Sequence, residues 1–370
     1  TLLMLVVLAF VAWAQRQPLF SSFDGPLQDR LTRAYAETPL PAADPGIVLV
    51  DIDESSLTQL GPWPWPRPVL AEIVGRLRDS GARLQLWDVF LPEPARGDER
   101  LAQAAGTRAD VVFGQVLVMD PQVHAPPRSG VLRSSAHGWP GVPCVDTPAD
   151  PGYFGLAESL SALPVGHLSA TPELDGGLRR VPALICYGGR RHPQLTLVAG
   201  ELLEPRAPWA VTPGSALFGP AQWLERGSLR WALDASGNVR VPFRRPHSQW
   251  QAISALRVLE GGQALPSLKG KVVIVGATAV GLADTVATPF HANAPGVSVH
   301  AELMASALDG RWTSEPADPT GVALLMTALC GGLLLFLWSR LRQAAWMIAT
   351  GVLVLALPAA LAVLLRAGHS

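Results

Sequence analysis

The sequence predicts an α/β fold, with a mostly parallel or mixed sheet flanked by helices and transmembrane α-helices at both ends of the chain. Three observations predict it. Short, continuously apolar runs bounded by Pro and Gly recur along the chain, the pattern of strands buried on both faces. Stretches with apolar residues at helical spacing alternate with them, and a strand–helix–strand order favours a parallel sheet. Only 16% of residues are charged and 49% are hydrophobic, where soluble domains carry about 25% charge, so part of the chain belongs in lipid.

The elements follow in order. Ile47–Ile52 is an apolar run after Pro45-Gly46 and reads as a buried strand. Arg67–Ser80 places Val69, Leu70, Ile73, Val74 and Leu77 at helical spacing, and Gly81 ends it. Leu84–Phe90 is the next strand, Asp98–Ala105 a helix, and Val111–Leu117 a third strand. Residues 120–152 are rich in Pro, Gly and Ser and read as loops. Residues 164–185 read as two strands around the turn Asp175-Gly176-Gly177, and Gln194–Leu203 as a helix. Leu229–Leu233 and Asn238–Phe243, joined through Ser236-Gly237, form a hairpin pattern. Lys271–Gly276 returns to the buried-strand pattern, and a helix over Ser298–Leu308 follows. The strands at 47–52, 84–88, 111–117 and 271–276 are expected together at the centre of one sheet. Gly276 is expected to end its strand where the backbone turns sharply.

The ends of the chain set its expected topology. Residues 319–339 and 343–365 carry no charge, and each run is long enough to cross a hydrocarbon core of about 30 Å as a helix. Arg340 and Arg342 lie in the short link between them, which places that link in the cytoplasm by the positive-inside rule. The expected layout is therefore an N-terminal anchor over 1–15, an outer domain over 16–318, a membrane helix over 319–339, a cytoplasmic loop over 340–342 and a second membrane helix over 343–366. The chain begins at Thr1 rather than Met, so the anchor is expected to be truncated. The rival for 1–14 is a signal peptide, since Ala12-Trp13-Ala14 suits a peptidase. Two crossings return the backbone to the outer side, so a third is expected beyond residue 370.

Composition excludes several classes. Net charge is −1, and no basic cluster supplies a nucleic-acid footprint. No cysteine spacing resembles a zinc site, and no phosphate-binding Gly-rich loop, Gly-x-Ser-x-Gly elbow or His-Glu-x-x-His is present. No cofactor or metal is therefore expected. Cys144 and Cys186 can pair if the domain lies outside the cytoplasm, or stand as two separate thiols.

One set of phrases is more specific in its order than any is alone. Val48–Leu57 (VLVDIDESSL) is followed by Gly61-Pro-Trp-Pro-Trp-Pro-Arg67, Asp88–Glu93 (DVFLPE), Asp175–Arg180 (DGGLRR), Val272–Thr278 (VVIVGAT), Asp284–Pro289 (DTVATP) and Pro295–Ala301 (PGVSVHA). This series resembles the CHASE sensor domain of the second type, over roughly residues 20–315. The resemblance implies an extracytoplasmic sensory module of a signalling protein in the bacterial inner membrane. It further implies membrane helices that lead to a nucleotide cyclase or kinase outside this chain, and a homodimer, since such outputs work in pairs. It supplies no ligand. A second reading is an accessory or structural membrane protein whose Pro- and Trp-rich surface docks onto a larger assembly.

Two site readings come from the residues themselves. Asp51-x-Asp53 at the end of a strand resembles the first motif of haloacid-dehalogenase-type phosphatases. That chemistry needs a metal-holding Asp after a late strand, and the place reads Val275-Gly276-Ala277-Thr278, so no catalytic residue is assigned. A binding pocket is the better candidate, because open parallel sheets collect ligands beyond the carboxyl ends of their strands. Asp53, Glu54, Asp88, Thr278, Asp284, Thr285 and His291 are the candidate lining, an acidic set suited to a cation or an amine. Asp53 and Asp284 have a structural alternative as caps of helices or turns. His291 and His300 flank the last strand-to-helix connection.

Overall fold

Val48, Val50 and Ile52 alternate with Ile47 and Leu49 along the first strand, and all five are buried. The two sets enter two different apolar clusters, so this strand has a core on each face, as its continuous hydrophobicity predicts. The computed structural model describes residues 7–9, 11–13, 18–36, 46–120, 122–123, 127–135, 139, 141–148, 151–215, 219–261, 265–282, 284–313 and 316–340. The main sheet contains β1 (Ile47–Ile52), β2 (Leu84–Trp87), β3 (Val111–Leu117), β4 (Val165–His167), β5 (Ala252–Ser254) and β6 (Val272–Ala277). Its order is β5-β1-β6-β2-β3-β4, and all five pairings are parallel. The short strand Tyr153–Phe154 adds antiparallel to β3, which makes the whole sheet mixed. The four strands expected at the centre are adjacent there.

Helices cover both faces. On one side lie α2 (Glu54–Leu60), α3 (Arg67–Asp79), α4 (Asp98–Gly106) and α6 (Ala255–Glu260), and on the other α5 (Leu195–Leu203) and α7 (Val297–Asp309). The α3 stripe of Leu70, Ile73, Val74 and Leu77 is fully buried against the sheet. Gly81 follows α3 with φ 92°, and a Cβ there would come within 3.0 Å of Lys269 Cα, so this turn needs glycine. The Trp63–Trp65 turn packs inward: Trp65 is buried, with the rings edge to face at 5.4 Å. Trp63 is half-buried, and Pro62, Pro64 and Pro66 remain exposed.

A second, five-stranded antiparallel sheet packs beyond α5 and α7. It contains the expected hairpin, paired at Leu233 and Val239, and strands Trp209–Pro213 and Gln222–Arg226, which the sequence reading did not resolve. The two strands expected around Asp175–Gly177 do exist, but β4 joins the main sheet and Arg180–Pro182 the second one. Their turn therefore bridges two layers rather than closing a hairpin. Cys144 and Cys186 form a disulfide, which replaces the reading of two separate thiols and ties the 120–152 excursion to strand Leu184–Tyr187.

At the ends, α1 (Pro18–Ala36) and α8 (Pro319–Arg340) flank the domain. Among the described residues no helix is long and apolar enough to cross a membrane. The span expected at 343–366 lies outside the described residues, as does most of 1–15.

Candidate functional site

A cavity of about 1080 Å³ opens beyond the carboxyl ends of the main sheet, large enough for a small molecule. Its wall takes Ile52 and Ala277 from the ends of β1 and β6, Asp88–Glu93 after β2, Val116–Asp120 around the end of β3, and Leu168–Pro172 after β4. Because β1, β2, β3, β4 and β6 are parallel, their carboxyl ends meet on one side, and their following loops supply the wall. The remaining side is closed by Asp284–Val286 and by the first turns of α7, through Val297, Val299 and His300.

Glycine makes that last contact possible. A Cβ at Gly276 would sit 2.7 Å from Val297 Cγ2 and 3.4 Å from Asp88 Oδ2. The strand does not end at Gly276, as expected, but continues to Ala277. The residue is needed for close approach of α7, not for a turn.

Three of the seven predicted residues line the cavity: Asp88, Asp284 and Thr285. Asp284 sits at the rim, where partial withdrawal from water, and then the charge of Asp88, push its carboxyl above the ordinary value. Its backbone carbonyl accepts from Gly296 N at 2.7 Å, which fixes the turn into α7. The other four do not line the cavity. Asp53 is the N-cap of α2: its Oδ1 accepts from Ser56 N at 2.8 Å, Ser56 Oγ at 2.6 Å and Ser254 Oγ at 3.0 Å. Partial burial opposes its charge, but these bonds outweigh it and hold the carboxyl below the ordinary value. Glu54 accepts from Val280 N at 2.8 Å. Thr278 donates to both oxygens of Asp51 at 2.7 Å. His291 is exposed in a surface turn closed by Thr288. The Asp51-x-Asp53 pair thus serves as a threonine clasp and a helix cap.

The residue that sequence reasoning underweighted is His300. It is 4% exposed, on α7, with Nε2 3.4 Å from Asp88 Oδ1. Its tautomer follows from its other neighbour. Gln194, the N-cap of α5, accepts from Thr196 N and Thr196 Oγ1 at 2.6 Å through Oε1. Its Nε2 must then be the donor to His300 Nδ1 at 3.0 Å, which leaves the ring proton on Nε2, facing Asp88. Its position at an apolar stretch of helix, Val297–Ala301, was the available signal.

Arg67 is the one arginine in the wall among the described residues, and it is already matched: Nε donates to Asp98 Oδ1 at 2.8 Å and a terminal nitrogen donates to Glu93 O at 2.9 Å. On the outer side of the wall, Leu178 lines the cavity while the next residue, Arg179, is bound by Asp29 of α1 at 2.7 Å. Glu173 and Asp175 complete that arginine's shell at 3.0 and 2.8 Å. Both α1 and α7 are therefore joined to the cavity wall within one residue.

A family model described as CHASE2 domain matches residues 2–341. No curated protein and no solved structure matches the chain.

Proposed function

The chain belongs to the CHASE2 domain family, an extracytoplasmic, sensory and non-catalytic family, and on that premise we propose that it is the receptor part of a multi-pass signalling protein of the bacterial inner membrane. A ligand or partner group enters the cavity, and the two helices nearest the membrane carry the change to a cytoplasmic nucleotide cyclase or kinase in a homodimer. The observation that supports this reading is the wall itself. Val297, Val299 and His300 belong to α7, and only residues 310–318 separate α7 from α8. An occupant that favours one placement of α7 shifts the population of the segment behind it.

The membrane layout has its own support. Leu325, Leu329, Leu335 and Phe336 of α8 are 42 to 59% exposed, and α8 presents no charged face before Arg340. The case for a span here rests on the sequence, in which 319–339 carries no charge, and Arg340 with Arg342 favours a cytoplasmic link behind it. Cysteine labelling of spheroplasts tests the arrangement in a Cys330→Ala background. An impermeant thiol reagent is expected to label a cysteine placed at the exposed Ser236 and to miss one placed at Ser339. Labelling at 339 and not at 236 would invert the layout and remove the receptor reading.

A further inference from the structure

Resting on the reading of the cavity as the receptor site, we infer that its ligand class is a small amphiphilic cation, an apolar body with one protonated nitrogen, held between Asp88 and Asp284. The apolar part of the inference comes from the walls. Val116, Leu168, Leu178, Val286, Val297 and Val299 line the same space, so an apolar ligand body meets apolar side chains there.

The charge part comes from counting what is already neutralised. Among the described residues the one guanidinium in the wall, Arg67, is matched by the buried Asp98, so its charge is already neutralised. The carboxylates have no such match. Among the described residues, the Asp88 carboxylate meets only the Nε2–H of His300, at 3.4 Å and without a hydrogen bond between them. Asp284 makes no side-chain ion pair among the described residues, and it is raised by burial and by Asp88. Two carboxylates that repel each other across a partly desolvated space are relieved by a cation and made worse by an anion.

His300 gives the site its second, independent mark. It is nine-tenths buried, it lines the cavity, its proton is fixed on Nε2 by the Gln194 amide, and that donor faces Asp88 without a closed hydrogen bond. A donor in this state is completed by an acceptor, and the acceptor within reach is Asp88 itself once that carboxylate moves. A protonated amine seated on Asp88 lets that carboxylate draw toward both donors, the ammonium and His300 Nε2–H. The movement is then felt on α7.

The test uses the full chain in nanodiscs and three probes that share one body: phenethylamine, 2-phenylethanol and phenylacetate. Isothermal titration against empty nanodiscs reads their affinities. Phenethylamine is expected to bind at least ten-fold more tightly than the alcohol, with phenylacetate weakest. Asp88→Asn and Asp284→Asn are each expected to weaken the amine by ten-fold or more and to leave the alcohol unchanged. Asp284 stands at the exposed rim, so its variant keeps the test decisive if Asp88→Asn fails to fold. Ala170→Trp, which fills the wall after β4, separates the two levels of the argument. If the alcohol or the acid binds as well as the amine and Ala170→Trp abolishes that binding, the cavity remains a site and the cationic class is overturned. If no probe binds, or if binding survives Ala170→Trp, both the class and the cavity as its site are overturned.

Discussion

Glu302 is fully buried in the middle of α7, and only one of its carboxylate oxygens is used, accepting from Arg245 N at 3.1 Å. The other has no hydrogen bond and stands 3.8 Å from Arg244 Nε. Burial raises its pKa from 4.5 to about 7, against the opposing pull of Arg244 and Arg245. An acid whose folded-state value is raised holds its proton more tightly folded than unfolded, so its contribution is greatest below pH 4.5 and is lost as pH rises toward 7. Urea denaturation at pH 5 and pH 8 is expected to show the wild-type chain losing stability relative to Glu302→Gln as pH rises, whatever trend groups such as the buried His167, with its lowered pKa, add to both. Equal slopes in both would remove the assignment. At this scale the sequence was readable only in part. Asp88 and Asp284 follow strands and do reach the cavity, but Asp53 follows a strand equally well and is a cap. The distinction lies in Ser56 and Ser254, and Ser254 comes from a strand 198 residues further on than Ser56, which local pattern does not reveal.

Arg179 shows what ties α1 to the domain. It is 4% exposed and binds three carboxylates, from Asp29, Glu173 and Asp175. Losing the arginine leaves those acids facing one another, and breaking a buried pair from one side costs roughly 3–5 kcal/mol. Arg179→Met is expected to lower stability by that order and to release α1, seen as faster amide exchange over residues 18–36, while the centre of the main sheet stays protected. Unchanged exchange in α1 would show that other contacts dock it. Elements with a complete local signature were legible: β1, β2, β3 and β6 are apolar on both faces, and α3 carries its stripe and its terminal glycine. The missed ones lack such a signature. β5 has three residues, Ala252–Ser254, and only Ile253 is buried among them. Trp209–Pro213 and Gln222–Arg226 are largely half-buried or exposed and show no regular apolar alternation, so only their partners define them as strands.

For the whole molecule, the Cys144–Cys186 bond closes a loop across 42 residues and holds the least regular part of the domain to the small sheet that Leu184–Tyr187 forms with Arg190–Pro193 and Val145–Asp146. Loop-closure entropy assigns such a cross-link about 4 kcal/mol. A reductant, or Cys144→Ser with Cys186→Ser, is expected to lower the urea midpoint accordingly, and no shift would mean that the loop is held by its packing alone. The fold class was legible because a parallel sheet writes itself as repeated apolar runs, but the order of its strands was not. β6 lies between β1 and β2, with Ile47 beside Val272 and Val272 beside Leu84. Two strands near the start of the chain thus flank a vacancy that only its far end fills. Adjacent strands stand about 4.8 Å apart, so β1 and β2 must be held some 10 Å apart, or wait unpaired, while the intervening residues emerge from the translocation channel. The domain is consequently unfinished for nearly the whole of its export, and an interrupted chain that stops before residue 272 delivers two bare apolar strand edges to the far side of the membrane.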